Sequence, residues 1–225
     1  STDSSATVVE RMMAAATLPI TLVRKTLNTG LADARNIGVE VARGSRVFIL
    51  DADNWILPRC LCLLDDALGD GAAAAYGLVA RYDEETGGSP GLLSALDWDV
   101  SRLVEAPYID AMALFDRRIL RELGGYAVDL IEHGWFGWED YDLWLSIAQA
   151  GHAVRHVPQV VARYREHSGA MLRRTNRDTV ALARHLQRKF ASLIEHHPGL
   201  ESYFAMLPGD GEQRSAVERE RDALR

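Results

Sequence analysis

The residues with the clearest chemical potential are Asp51 and Asp53, which directly follow the apolar run 47–50. Coming just after Gly44 and Ser45, such a run is typical of a strand that is buried on both faces of a parallel sheet. Ligands of open α/β sheets bind at the carboxyl ends of the strands, and residues two apart on a strand point to the same side, roughly 7 Å apart. The pair therefore predicts a site for one hard divalent cation, with its remaining positions open to phosphate oxygens. Taken alone, the same pattern also fits two acids that cap the following helix.

A second acidic pair, Glu139 and Asp140, stands where a helix is predicted to begin. The apolar residues that follow are spaced as on one helical face, and Gly151 ends the helix. Carboxylates in a first helical turn are favoured by the helix dipole, and this alone accounts for many such pairs. A helix N-terminus also keeps a carboxylate ionised, while partial burial under Trp138 raises its basicity. Asp142 points to another side of the helix and is a weaker candidate.

Helices and strands alternate along the chain, which places it in the α/β class. The helices are predicted from apolar residues at helical spacing, and the strands from β-branched or continuous apolar runs, with Gly and Pro as boundaries. The predicted helices cover 7–16, 31–42, 58–68, 117–123, 139–150 and 178–197, and the predicted strands cover 20–27, 47–50, 72–82, 108–115 and 152–165.

Three segments together resemble a known family. They are Asn-x-Gly-x-x-x-Ala-Arg-Asn at 28–36 with the acidic pair and Pro58 after it, Gly-Trp-Glu-Asp at 137–140, and Tyr-Arg-Glu-His at 164–167. In this order they are similar to the glycosyltransferases of the GT-A fold, family 2, over residues 1–172. The resemblance implies a mixed α/β sheet flanked by helices, followed by a C-terminal amphipathic helix and a charged tail over 173–225.

The same resemblance implies an inverting enzyme that moves a sugar from a nucleotide-diphosphate donor to a hydroxyl acceptor. Asp140, with Glu139 beside it, matches the family's general base. Asp51 and Asp53 match its metal pair, and His167 matches a late histidine that completes the site for Mn²⁺ or Mg²⁺ in many GT-A enzymes. UDP is the favoured donor nucleotide, and the implied acceptor is a saccharide or a lipid-linked sugar of a cell-surface polymer or glycolipid.

Further side chains are implied to bind the donor together with Asp51 and Asp53. Arg35 matches the family's arginine that helps position the diphosphate, and its planar fork suits phosphate oxygens, although a surface arginine on a helix would give the same pattern. Asn28, Asp110 and Trp138 are the other candidates for donor binding.

The polar start of the chain is open to two interpretations. Ser1 and Asp3 match the tail of the family motif Asp-Asp-Gly-Ser-x-Asp, which implies that the family's first strands are lacking here. A polar start with a helix cap explains the same residues. Asn36 is predicted to tie loops together rather than to touch substrate.

Composition narrows the function classes. The net charge of −7 argues against nucleic acid as the main partner, and no apolar run is long enough for a transmembrane helix. Cys60 and Cys62 are predicted to be free thiols in a reducing compartment. These features predict a cytoplasmic protein, and the helix at 178–197 could dock on the catalytic domain, pair two copies, or lie at the inner face of a membrane.

Three other functions compete with the transferase. One is a non-catalytic fragment or interaction domain that retains the fold. A haloacid dehalogenase-type hydrolase also has Asp-x-Asp after a strand, but here Asn54 and Trp55 follow and no matching Lys motif is present. A nucleotidyltransferase is disfavoured because no Gly-rich phosphate loop precedes the acidic pair.

Overall fold

The computed structural model describes residues 3–132, 137–166 and 179–197, and in these residues a mixed six-stranded sheet is flanked by helices. The strand order is β1-β5-β3-β6-β2, and β4 pairs with β3. The long central pair β3 and β6 is parallel, and the other pairings are antiparallel. This confirms the predicted fold class. The strands are β1 (Arg46–Phe48), β2 (Trp55–Ile56), β3 (Ala72–Asp83), β4 (Leu92–Leu93), β5 (Ala113–Asp116) and β6 (Ala153–Glu166).

The helices begin close to the positions that the sequence predicts. Two of them are capped by a carboxylate, because Asp99 accepts the N–H groups of Ser101 and Arg102, and Asp116 accepts the N–H of Ile119. The helices are α1 (Ser5–Ala15), α2 (Gly30–Val41), α3 (Cys60–Leu68), α4 (Val100–Glu105), α5 (Arg117–Glu122), α6 (Asp129–Glu132), α7 (Glu139–Gln149), α8 (Thr179–Lys189) and α9 (Ala191–Glu195).

The core lies on both faces of the central strands. One face of β3 packs with Tyr76 against Trp144 of α7 and Phe115 of β5. Its other face packs with Val79 against Leu64 of α3. The side chains of a strand alternate between the two faces of the sheet, so a continuous apolar run such as the start of β3 can serve two cores at once.

Two strand predictions are wrong. The strand predicted at 47–50 is β1, which ends at Phe48, pairs antiparallel with β5 and leaves Leu50 47% exposed, so it is not a doubly buried parallel strand. The segment 20–27 forms no strand, and Leu27 is 72% exposed. A strand requires a neighbour to satisfy its backbone groups, and no strand in the described part of the chain pairs with this segment.

The helix predicted at 178–197 is two helices that break at Phe190. Their apolar side chains, which include Leu186, Phe190 and Leu193, are buried in the same core as Trp144 of α7. The amphipathic face therefore packs on the core beside α7. The boundary at residue 172 stays a prediction, and the charged tail lies outside the described residues.

Two smaller expectations can also be compared with the structure. Cys60 and Cys62 are both free thiols, as predicted. None of the helices in the described ranges combines the length and the apolar character needed to cross a membrane.

Candidate active site

Arg35 lies at the centre of the candidate site and connects the two acidic pairs. It comes from the first turns of α2, and its side chain is only 7% exposed. Its Nη2 donates to Asp51 Oδ1 at 2.7 Å, and its Nη1 donates to Glu139 Oε1 at 2.8 Å. Burial disfavours the charge, but the neighbouring Tyr126, Asp51 and Glu139 outweigh it and raise the pKa of Arg35. The guanidinium is therefore a permanent cation held between two carboxylates.

The second acidic pair begins α7 through an unusual backbone conformation. Trp138 precedes the helix with a φ of 64°, in the left-handed region that bulky residues rarely adopt. This turn places Glu139 towards Arg35, while Asp140 Oδ1 accepts the N–H of Tyr141 at 2.8 Å. The ring of Trp138 packs edge-on to Tyr141, with centroids 5.6 Å apart. Trp138 thus forms the start of the turn that carries the two carboxylates, and its role in donor binding stays a prediction.

Burial changes the acidity of this pair. It raises the pKa of Glu139 to about 7, with the charge of Asp140 adding to the effect and Arg35 opposing it. Burial also raises the pKa of Asp140, against the opposing effects of Arg35 and the Tyr141 N–H. A carboxylate with a raised pKa is a stronger base, so Asp140 has the property that proton abstraction from a hydroxyl group requires.

Asp110 joins the same group of carboxylates. Its Oδ1 accepts the N–H of Met112 at 2.9 Å, and its own N–H donates to Ser94 Oγ at 2.9 Å. Burial, followed by the charges of Asp140 and Asp51, raises the pKa of Asp110 to about 7. We refer to Asp51, Asp110, Glu139 and Asp140 as the acidic cluster; Arg35 is its ion-paired cation.

The raised pKa of Asp110 predicts a pH-dependent cost to stability. Well below pH 4 the carboxyl group of Asp110 is protonated in both the folded and the unfolded state. Above about pH 7 it is ionised in both states, but only the folded state buries the charge. Asp110→Asn keeps an acceptor for the Met112 N–H but carries no charge. We expect the variant to be more stable than wild type by about 4 kcal/mol above pH 7, as a rise of about three pKa units implies, and this gain to fall below about 1 kcal/mol at pH 4. Denaturant titrations in EDTA from pH 4 to 8 measure it, and a pH-independent difference would contradict it.

The turn that carries the first acidic pair is closed by its own backbone. The N–H of Asn54 donates to the carbonyl of Asp51 at 3.1 Å, and Asn54 Oδ1 accepts the N–H of Arg165 at 2.9 Å. Asp53 is exposed on this turn. Burial and then the charges of Asp110, Asp53 and Asp51 raise the pKa of Tyr164. Asp53 therefore lies close to the acidic cluster and on its solvent side.

The chemistry of these donors fits a hard divalent cation. Within the described ranges, no three His, Cys, Asp or Glu side chains converge as a complete metal site, and His167 lies outside the described residues. Mg²⁺ and similar ions commonly bind one or two carboxylates and complete their shell with phosphate oxygens and water. Asp51 and Asp53 would supply such a partial set.

The remaining predicted residues occupy different surroundings. Asn28 is exposed, and its Oδ1 accepts the N–H of Gly30 at 3.1 Å, where α2 begins. Asn36, which was predicted to tie loops together, instead lies in α2 and ties this helix to one loop residue: it donates to the carbonyl of Tyr126 at 2.8 Å and accepts its N–H at 2.7 Å. Asp142 is bonded to Lys189 of α8.

Tyr126 is the site residue that sequence reasoning missed. It is fully buried, and the Arg35 guanidinium lies over its ring at 5.2 Å from the centroid. Gly125 has a φ of 73°, and a Cβ there would lie 2.4 Å from Asn36 Oδ1, so only glycine allows this approach. The Gly-Gly-Tyr sequence at 124–126 was the available signal, since a glycine pair before an aromatic marks a close backbone contact.

Comparisons with known proteins identify the family and the fold. Residues 1–124 match the family model described as Glycosyl transferase family 2. An uncharacterised protein of Sinorhizobium fredii, y4gI, is 26% identical over 174 residues, which are 76% of this chain and 18% of that protein. The chain thus spans less than a fifth of the length of this curated relative.

Two solved structures are similar in fold. The mannosyltransferase PcManGT from Pyrobaculum calidifontis, in complex with GDP-Man and Mn²⁺, has a TM-score of 0.59 and 25% identity, covering 87% of this chain and 52% of its own. TarS 1–349 of S. aureus, in complex with UDP-GlcNAc, has a TM-score of 0.57 and 14% identity, covering 83% and 55%. The chain spans about half the length of each.

Proposed function

Because this chain belongs to glycosyl transferase family 2 and has the GT-A fold, we propose that it transfers a sugar from a nucleotide-diphosphate donor to a hydroxyl group of an acceptor. One observation carries the proposal. Arg35 is bonded at once to Asp51 and to Glu139, which are far apart in sequence, so the cation-binding pair and the base pair adjoin at one place. Both functions that glycosyl transfer requires are then within reach of one substrate.

The first function is to stabilise the leaving diphosphate. Asp51 and Asp53 would hold Mn²⁺ or Mg²⁺, and that ion, when bound, neutralises charge on the phosphate oxygens. Arg35 fixes the orientation of Asp51 through the 2.7 Å ion pair. We assign Arg35 to this orienting role rather than to a direct phosphate contact, because both of its terminal nitrogens are already bonded to carboxylates.

The second function is to activate the acceptor. Asp140 takes the proton of the acceptor hydroxyl, and the hydroxyl oxygen forms a bond to the anomeric carbon. The bond from that carbon to the diphosphate oxygen breaks, and the nucleoside diphosphate leaves with the electron pair. A single displacement of this kind inverts the anomeric centre. Trp138 and the loop at 87–91 would help to exclude water.

The substrates are proposed by class. The two neighbours described above were solved with GDP-Man and with UDP-GlcNAc, so a UDP-sugar or a GDP-sugar is the expected donor, with UDP preferred. The expected acceptor is a saccharide or lipid-linked sugar of a cell-surface polymer or glycolipid. A cytoplasmic location, with peripheral contact at the inner face of the membrane, would suit such an acceptor. A non-catalytic interaction domain is the alternative.

Calorimetric titration with UDP and with GDP, each with and without Mn²⁺, tests the donor site. We expect one nucleotide to bind only when Mn²⁺ is present. Asp53→Ala should weaken this metal-dependent binding by about tenfold or more, because it removes a ligand on the solvent side of the acidic cluster. Asp70→Ala, on the exposed turn after α3, is the matched control. Equal binding by both variants would remove Asp53 from the metal site, and no binding to wild type would favour the interaction domain.

A further inference from the structure

We propose that Lys189 is a positioning residue for Asp140, because it pins the two ends of the segment that carries the catalytic carboxylates. The inference rests on the proposed function. Lys189 is the last residue of α8 and makes no contact with the acidic cluster among the described interactions. Its ion pairs instead reach Asp142 of α7 and Asp129 of the short helix α6.

The contacts of Lys189 are specific. Its Nζ donates to Asp142 Oδ2 at 2.6 Å and lies 3.8 Å from Asp129 Oδ2. Asp129 Oδ2 is also 3.0 Å from His185 Nε2 on the preceding turn of α8. The Asp142 side chain is only 3% exposed. A carboxylate so deeply buried needs a partner of opposite charge, and Lys189 is the cation bonded to it.

The two aspartates stand on either side of the catalytic pair. Asp129 is the first residue of α6, and Asp142 lies in the first turn of α7, so the segment between them includes Trp138, Glu139 and Asp140. One ammonium group therefore connects both ends of this segment to α8. We refer to Asp129, Asp142 and Lys189 as the lysine bridge.

The lysine bridge and Arg35 hold the first turn of α7 at two points. Glu139 and Asp142 are three apart, so their side chains lie about 60° apart around the helix, whereas Asp140 and Asp142 diverge by about 200°. Arg35 bonds Glu139, and Lys189 bonds Asp142. Rotation or sliding of the first turn would have to break one of these ion pairs, so together they fix the position of Asp140.

The helix that carries Lys189 is itself packed on the core. α8 and α9 bury Leu186, Phe190 and Leu193 in the core that contains Trp144 of α7. Phe190 directly follows Lys189 and marks the break between the two helices. Because residues on both sides of Lys189 are buried in the core, the position of Lys189 is fixed. Its ion pair with Asp142 therefore restricts movement of the first turn of α7.

The test compares Lys189→Met with Lys189→Arg and with Arg188→Met, an exposed neighbour on the same helix. We expect Lys189→Met to lower kcat about tenfold while the KM for the donor stays within about twofold, since misplacement of a base affects the chemical step. Lys189→Arg should restore kcat to within about threefold of wild type, and Arg188→Met should be unchanged. Hydrogen exchange provides a readout without turnover: amides of residues 139–143 should exchange faster in Lys189→Met, and those of β3 should not.

A double variant separates positioning from simple charge neutralisation. Asp142→Asn combined with Lys189→Met removes the buried charge but does not restore the bridge, so stability should recover while kcat stays low. Full recovery of kcat, or unchanged exchange at 139–143 in Lys189→Met, would overturn the role of Lys189. A wild-type chain without turnover would instead refute the proposed function, and the exchange data would still decide whether Lys189 fixes the start of α7.

Discussion

Replacing Asp140 with Asn will lower kcat by about 100-fold or more, because a positioned general base typically contributes at least that factor. The substitution keeps the size of the side chain and leaves an oxygen that can accept the Tyr141 N–H. It removes only the ability to take a proton. Nucleotide binding in the presence of Mn²⁺ should stay within about threefold of wild type, which separates the chemical step from donor binding.

The pH profile provides a second criterion for Asp140. A base acts only when it is ionised, so wild-type kcat should rise with pH through the pKa of Asp140, which burial raises above its ordinary value. This acidic limb should be absent from the residual activity of Asp140→Asn. Asp70→Asn, on an exposed turn, should retain the wild-type profile. A kcat for Asp140→Asn within about threefold of wild type would exclude Asp140 as the base.

Replacing Arg35 with Met will destabilise the protein by about 3–5 kcal/mol, because removal of one partner from a buried ion pair leaves the other charge uncompensated. Here two carboxylates lose their partner at once, since Arg35 is bonded to both Asp51 and Glu139. Denaturant unfolding at pH 8 measures the loss. It should shrink at pH 4, where Glu139, whose pKa burial raises to about 7, is protonated and no longer requires a cation. Mn²⁺-dependent nucleotide binding should weaken because Asp51 is no longer oriented.

Three further variants sharpen this prediction. Adding Glu139→Gln to Arg35→Met should recover part of the stability, since one uncompensated charge is removed. Arg35→Lys should restore little, because a compact ammonium cannot reach two carboxylates with separate donors as a guanidinium does. Arg118→Met is the control: its exposed pair with Glu122 should contribute less than about 1 kcal/mol. An Arg35→Met loss as small as that of Arg118→Met would contradict a central role for Arg35.

Local signals in the sequence predicted much of the architecture. The helix predicted at 117–123 forms as α5, and Asp116 caps it through a bond between residues only three apart. The two acidic pairs could be recognised because each depends on local sequence: Asp51 and Asp53 follow a strand, and Glu139 and Asp140 begin a helix. The resemblance of ordered motifs to a family, which the match over residues 1–124 supports, then placed both pairs in one kind of site.

Tertiary structure decided which groups meet. The Arg35–Glu139 bond joins residues that are 104 positions apart, and no periodicity or spacing encodes such a pairing. The antiparallel partner of β1 and the absence of a strand at 20–27 likewise depend on which segments lie side by side, because a strand exists only with a neighbour. The sequence by itself determined most of the helices and the residues that could do chemistry, because these depend on local spacing. Only the folded chain decided that one buried guanidinium joins the two acidic pairs and that Lys189 bonds Asp142 in the first turn of α7, since these contacts arise from packing between distant segments.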